Sequence, residues 1–212
     1  MDKSKAIIIA TILASFAVGF WAYPQMPEMV ASHWNENGEV NGYMPKFWGV
    51  FLMPILSLVM SFLFIVLPKI DPMKANIEKF RNYYNSFISA IILFLFYIYL
   101  LTIEWNLGHR FDMVYFLIPA LSALFYWSGI LVEKAKMNWF IGIRTPWTMS
   151  SEAVWDKTHK LGGKLFKASA LISLAGLFFG PLAFWFTILP ITFVSFYLII
   201  YSYLEHKKEI KK

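Results

Sequence analysis

Between residues 165 and 204 the chain carries one residue of the Asp, Glu, Lys, Arg and His types, Lys167, in an apolar run about twice as long as a single bilayer crossing. A helix needs about 20 apolar residues to cross the hydrocarbon. Residues 6–23, 47–67, 84–103 and 113–132 supply four more such runs, the second stopping at Pro68. Gly180-Pro181 interrupts the long run, and a pair of this kind punctuates a chain strongly. Division there gives a short fifth helix over 167–179 and a sixth over 182–204. One long tilted helix and a re-entrant pair are the alternatives. None of the six interiors contains Asp, Glu, Lys, Arg or His. With 58% hydrophobic and only 15% charged residues, against about 25% charged in soluble domains, a water-soluble fold has nowhere to bury this surface. The expected fold is an all-α integral membrane protein of about six transmembrane helices, multi-pass in the cell membrane.

Charge orients it. Of the 19 Lys and Arg residues, 17 lie at the termini, in the loop between spans two and three, or around the loop between spans four and five. The remaining connections hold only Lys46 and Arg110, against Glu28, Glu36, Glu39, Glu104 and Asp112. The positive-inside rule then predicts N-in/C-in topology, with a net-negative outer face. Anionic lipid accounts for the basic inner face more simply than nucleic acid does, so the bilayer is the expected partner and no direct nucleic-acid contact is expected. Asp2-Lys3-Ser4-Lys5 ahead of an apolar run has the look of a signal peptide, but no A-x-A site precedes Tyr23. The segment is read as an uncleaved anchor. The absence of cysteine excludes disulfides, thiolate metal sites and Cys nucleophiles.

Two loops are long and rich in turn residues and aromatics, and long ordered loops are disproportionately functional. In the outer loop, residues 24–46, Pro24 and Pro27 end the first helix. Asn37-Gly38 and Asn41-Gly42 both read as turns, and Asn-Gly can close a small hairpin. His33, Trp34 and Asn35 precede the first turn. His33 can titrate, ligate a metal or meet a partner; equally, it can bond a neighbouring carbonyl at the interface. No spacing joins it to Glu28, Glu36, Glu39 or His109 as a multi-ligand site, so no metal or other cofactor is expected.

The inner loop, residues 133–166, has Asn138, Gly142, Arg144, Thr145, Pro146 and Trp147 ahead of a helical pattern. Thr148, Ser150 or Ser151 can cap that helix, and Glu152 and Asp156 suit its first turns. Gly162-Gly163 offers a stop. The result is a cytosolic amphipathic helix lying on the membrane surface between helices four and five, with Trp155 and His159 on one face. Arg144, Trp147, Glu152, Trp155 and His159 allow three readings. They supply an acid, a base and a cationic clamp for catalysis. They are structural, with Arg144 paired to an acid and the tryptophans in the headgroup belt. Or they anchor a partner protein. Nothing resembles a nucleophile triad, and no catalytic residue is assigned.

The inner segment, residues 138–148 with Ser150-Ser151-Glu152, Val154-Trp155 and residues 158–163, resembles the SdpI family of bacterial membrane immunity proteins. The outer segment, with Tyr23-Pro24, Pro27, His33-Trp34-Asn35, Gly38, Gly42-Tyr43 and Lys46, resembles the membrane module of unknown function that often precedes it. The resemblance implies an N-terminal module over 1–70 and an SdpI-like half over 71–212. It implies a non-enzymatic membrane immunity protein that protects against a secreted toxic peptide, with a signal relay that sequesters a small transcriptional repressor at the membrane. The toxin side would be Pro24, Pro27, His33, Trp34, Asn35, Gly38 and Gly42. The docking side would be Asn138, Gly142, Arg144, Thr145, Pro146, Trp147, Glu152, Trp155 and His159. The alternative is a small multi-helix transporter or channel in which Pro54, Pro119 and Pro190 bend helices around a cavity; the lack of charge at membrane depth weighs against ion coupling.

Overall fold

The structure, a computed structural model, describes residues 3–211. The elements run α1 (Lys3–Ala22), a 3-10 turn at Tyr23–Gln25, β1 (Met29–Trp34), β2 (Val40–Pro45), α2 (Lys46–Ile70), α3 (Lys74–Glu78), α4 (Arg81–Asn106), α5 (Met113–Lys134), α6 (Pro146–Ser150), α7 (Glu152–Gly176), a 3-10 turn at Leu177–Leu182, and α8 (Ala183–Ile210). Five stretches are helical, long and apolar enough to cross a membrane; the last, Glu152–Ile210, is 59 residues long. It is one run only in name. Phe179 and Gly180 leave helical geometry, Gly180 with φ at +56°, and α8 folds back to pack on α7.

This corrects the expected surface helix followed by a short fifth span. The amphipathic segment and the span are one 25-residue helix, α7. Gly162-Gly163 does not stop it, because those glycines serve a different purpose. A Cβ on Gly163 would lie 2.7 Å from the Gly129 carbonyl oxygen of α5, and one on Gly129 would lie 2.7 Å from the Gly163 carbonyl oxygen. The two backbones meet where neither has a side chain, as small residues allow between membrane helices. A buried hydroxyl chain continues the seam. Ser122 of α5 donates to Ser173 of α7 at 2.8 Å, and Ser173 lies 2.7 Å from Thr187 of α8.

Pro68 does not end α2 either, which runs on to Ile70. Proline lacks the N–H that would bond the carbonyl four residues back, here that of Phe64. The buried Tyr84 of α4 donates its hydroxyl to that carbonyl at 2.8 Å. A residue from the next long helix thus supplies the missing donor, and α2 continues.

The all-α expectation needs one addition. The outer loop forms an antiparallel two-stranded hairpin, β1 with β2. Only Asn37-Gly38 is a turn, with Gly38 at φ +77°. Asn35 organises it by accepting from the Asn37 and Glu39 amides at 3.0 and 2.9 Å. Asn41-Gly42 lies within β2, where Gly42 faces His33; a Cβ on Gly42 would fall 2.9 Å from the His33 Cβ. The dipeptide is read as a turn by composition but is held in the strand by this pairing.

Two apolar clusters hold the ends together. One gathers Ile77, Phe80, Tyr84, Ile88, Leu131 and Trp155. The other gathers Met26, Val30, Val50, Phe51, Tyr99 and Ile103 under the hairpin. If Tyr84 stands in for the amide that Pro68 lacks, Tyr84→Phe will lower stability by about 1–3 kcal/mol, and will cost clearly less in a Pro68→Ala background. Thermal unfolding of the four proteins in one detergent closes that cycle; equal losses in both backgrounds would refute the account.

Candidate functional site

The connection from α5 to α7 is built around amides that side chains satisfy. Asn138 is fully buried. Its side-chain oxygen accepts from the Phe140 and Ile141 amides at 3.0 and 2.7 Å, and its nitrogen donates to the Lys136 and Ile141 carbonyls. All its hydrogen-bonding capacity is spent on folding the loop. Asp71, also buried, fastens this loop to the α2–α3 corner. One carboxyl oxygen accepts from the Met73 amide at 2.6 Å and the other from the Trp139 amide at 2.9 Å. Asn76 adds a bond to the Met137 carbonyl.

The second half of the loop rests on α7. Trp155 and His159, one turn apart, are buried and stacked, with ring centroids 3.8 Å apart. Trp155 donates its indole N–H to the Ala135 carbonyl at 2.9 Å. His159 Nε2 accepts from the Ile143 amide at 2.9 Å, so Nδ1 carries the proton and donates to the Trp155 carbonyl. The imidazole is neutral and both its nitrogens are occupied. A second proton would set one N–H against another. Gly142 has φ +117°, and a Cβ there would overlap His159 Nε2. Only glycine lets the backbone pass so close to the ring. Thr145 caps α6 in a reciprocal capping box with Thr148 and lies 2.9 Å from the Ser202 hydroxyl of α8. Ser151 caps α7.

Asn138, Gly142, Thr145, Trp155 and His159 therefore come together, as parts of a packed scaffold. Arg144, Pro146, Trp147 and Glu152 lie on its surface. Arg144 and Pro146 are exposed. The guanidinium of Arg144 donates to the Trp139 carbonyl, not to the acid expected from the sequence. Trp147 packs against Tyr203 of α8 at 5.1 Å between centroids. Glu152 is exposed at the start of α7. The five residues that sequence offered as one cluster are divided between interior and surface. Trp139 and Phe140 are exposed beside Arg144, an aromatic pair to which sequence reasoning gave no role.

At the other end, the hairpin is clamped rather than loose. Both backbone groups of Ala31 are met by Asn106 of α4: Oδ1 accepts from the amide at 2.8 Å, and Nδ2 donates to the carbonyl at 3.0 Å. Trp34 packs edge-on to Trp105, whose ring carries the Arg110 guanidinium 3.4 Å from its centroid. His33 is exposed and bonded to Asn41. Pro24 sits in the 3-10 turn that follows α1, and Pro27 precedes β1. Lys46 lies 3.6 Å from Glu28. Among the described residues, no three His, Asp or Glu side chains are grouped to hold a metal.

Two outcomes follow from this geometry. Gly142→Ala combines a disfavoured φ with overlap on His159, and is expected to cost about 2–4 kcal/mol; an unchanged unfolding temperature would show that the close approach is not required. Asn106→Leu leaves both groups of Ala31 without partners, at about 1–3 kcal/mol for each. Amide exchange should then quicken across residues 29–34 while α1 stays protected, and uniform protection would contradict the clamp.

Comparison with known proteins places these two regions. Residues 10–58 match a domain of unknown function, DUF1648, and residues 134–202 match the SdpI/YfhL protein family. The chain is 26% identical over 182 residues to "Immunity protein SdpI" of Bacillus subtilis (strain 168), covering 86% of this chain and 82% of that protein. No solved structure matches it. The chain is a multi-pass membrane protein similar to this immunity protein, its hairpin inside the match to DUF1648 and its α5–α7 loop inside the match to the SdpI/YfhL family.

Proposed function

We propose that this protein is an immunity protein of the cell membrane, protecting its host against a secreted toxic peptide. The observation that carries the reading is the similarity to an immunity protein across 86% of the chain, which spans the hairpin as well as the basic loop. The orientation belongs to the proposal: the basic end faces the cytosol and the hairpin faces outward. Residues 1–70 then form the outward-facing module, and 71–212 the half that carries the inner loop.

In this reading a cationic or amphipathic toxin meets a net-negative outer face. Pro24, Pro27, His33, Trp34, Asn35, Gly38 and Gly42 shape that face, with His33 exposed on it. A small repressor docks on the inner surface through Arg144, Pro146, Trp147 and Glu152, since Trp and Arg are favoured anchors. Asn138, Gly142, Thr145, Trp155 and His159 hold that surface in shape from beneath.

The test is survival of a sensitive host, with and without the protein, under a panel of membrane-active peptides. Wild type should protect. His33→Ala should weaken protection, while Arg144→Ala should leave protection intact and abolish membrane capture of a repressor, all at equal membrane levels. No protection across the panel would overturn the immunity reading.

A further inference from the structure

At the basic end of the bundle, a groove of about 510 Å³ opens between α1, α2 and α4. That is within the roughly 300–1,000 Å³ of small-molecule sites. Its floor is apolar, formed by Ile8, Ile9, Phe64, Ile65 and Ile88. Lys5, Lys69 and Arg81 also line it. They lie near the ends of their helices, at the start of α1, the end of α2 and the start of α4. Arg81 is paired with Glu78, and that hydrogen bond holds the Glu78 carboxyl below the ordinary carboxylate range. Lys5 and Lys69 have no ion-pair partner among the described residues. Among the described residues, two cations are thus left unmatched over an apolar floor.

The groove has one further polar point. Ser61 is 6% exposed, and its hydroxyl has no hydrogen-bond partner among the described residues. It lies eight positions before Lys69 on α2, about 12 Å further along the helix from the basic end. A buried hydroxyl left unpaired costs free energy, and an acceptor entering from the groove that Ser61 lines would relieve that cost.

We propose that this groove binds an anionic glycerophospholipid. Its phosphate is held by Lys5 and Lys69, its acyl chain covers the apolar floor, and an ester carbonyl accepts from Ser61. The pattern of charge, apolar surface and a deeper acceptor distinguishes this ligand from free phosphate, which lacks the last two. Basic pockets between membrane helices are suited to such headgroups. The site lies outside the hairpin and the α5–α7 loop, and does not depend on the immunity reading.

The experiment is a thermal-shift titration of the full chain in neutral detergent with dioleoylphosphatidylglycerol, dioleoylphosphatidylcholine or inorganic phosphate. The phosphatidylglycerol should give a saturable rise in unfolding temperature, and the other two should not. Lys5→Gln/Lys69→Gln should weaken the apparent affinity about thirty-fold, from two surface-type lysine contacts. Lys160→Gln/Lys164→Gln, which removes the same charge from α7, should leave it within about two-fold, well under the tenfold step of one strong contact. Ser61→Leu fills the groove and should abolish the shift while leaving the protein folded in detergent. An equal response to phosphatidylcholine or phosphate would overturn the proposal. So would equal weakening by both lysine pairs, or an undiminished shift in Ser61→Leu.

Discussion

Hydrocarbon and a packed apolar interior offer no hydrogen bonds, so a polar group buried there is costly unless it finds a partner. The fold meets this demand with a few side chains at places where regular helix or sheet cannot. Tyr84 bonds the carbonyl that Pro68 leaves free. Asn106 meets the two groups of Ala31 on the hairpin edge away from β2. Ser122, Ser173 and Thr187 satisfy one another between three helices. Each of these also joins two elements, so the chemistry that avoids an orphan group is the chemistry that assembles the bundle.

At the basic end, order is achieved without burying net charge. Asn138 and His159 are neutral, and both are saturated by backbone groups. The exceptions, Asp71 and Glu205, are buried carboxylates: two amides donate to Asp71, and two lysines pair with Glu205. Around this interior charged residues are paired: Lys157 of α7 and Lys208 of α8 on Glu205 of α8, Lys136 of the loop on Asp156 of α7, and Lys167 of α7 on Glu133 of α5. The Lys136–Asp156 pair, exposed on both sides, contributes little to stability. The loop's shape is set from within, which leaves its outer side chains free to vary in role.

The long helices were legible because hydrophobic runs of bilayer length have few other interpretations. The Asn37-Gly38 turn, the Ser151 cap and the shared face of Trp155 and His159 were legible for local reasons of similar strength. What sequence did not disclose lies in contacts between distant positions. Asn106 is 75 positions from Ala31, and Asp71 is 68 from Trp139. Nothing in their local sequence marks either as a clamp. The same limit explains the misread punctuation. Pro68 and Gly162-Gly163 carry breaker signals that a partner helix overrides, through Tyr84 in one case and the glycine-lined surface of α5 in the other. For the candidate site, the sequence gave no indication of which of the proposed residues face inward.

The continuity of α7 has a mechanical consequence. At 1.5 Å per residue its 25 residues span about 37 Å, enough to run from the charged loop to the turn at Gly180. Its interior carries no proline and its glycines are packed, so it has no built-in joint. Such a rod does not absorb a sideways push by bending locally. A displacement where it meets Phe186 near Gly176 is delivered as tilt about the tight Gly129–Gly163 crossing, and the Ser151 end swings with it. The two ends of α7 are thereby geared to one another by a single lever and its fulcrum.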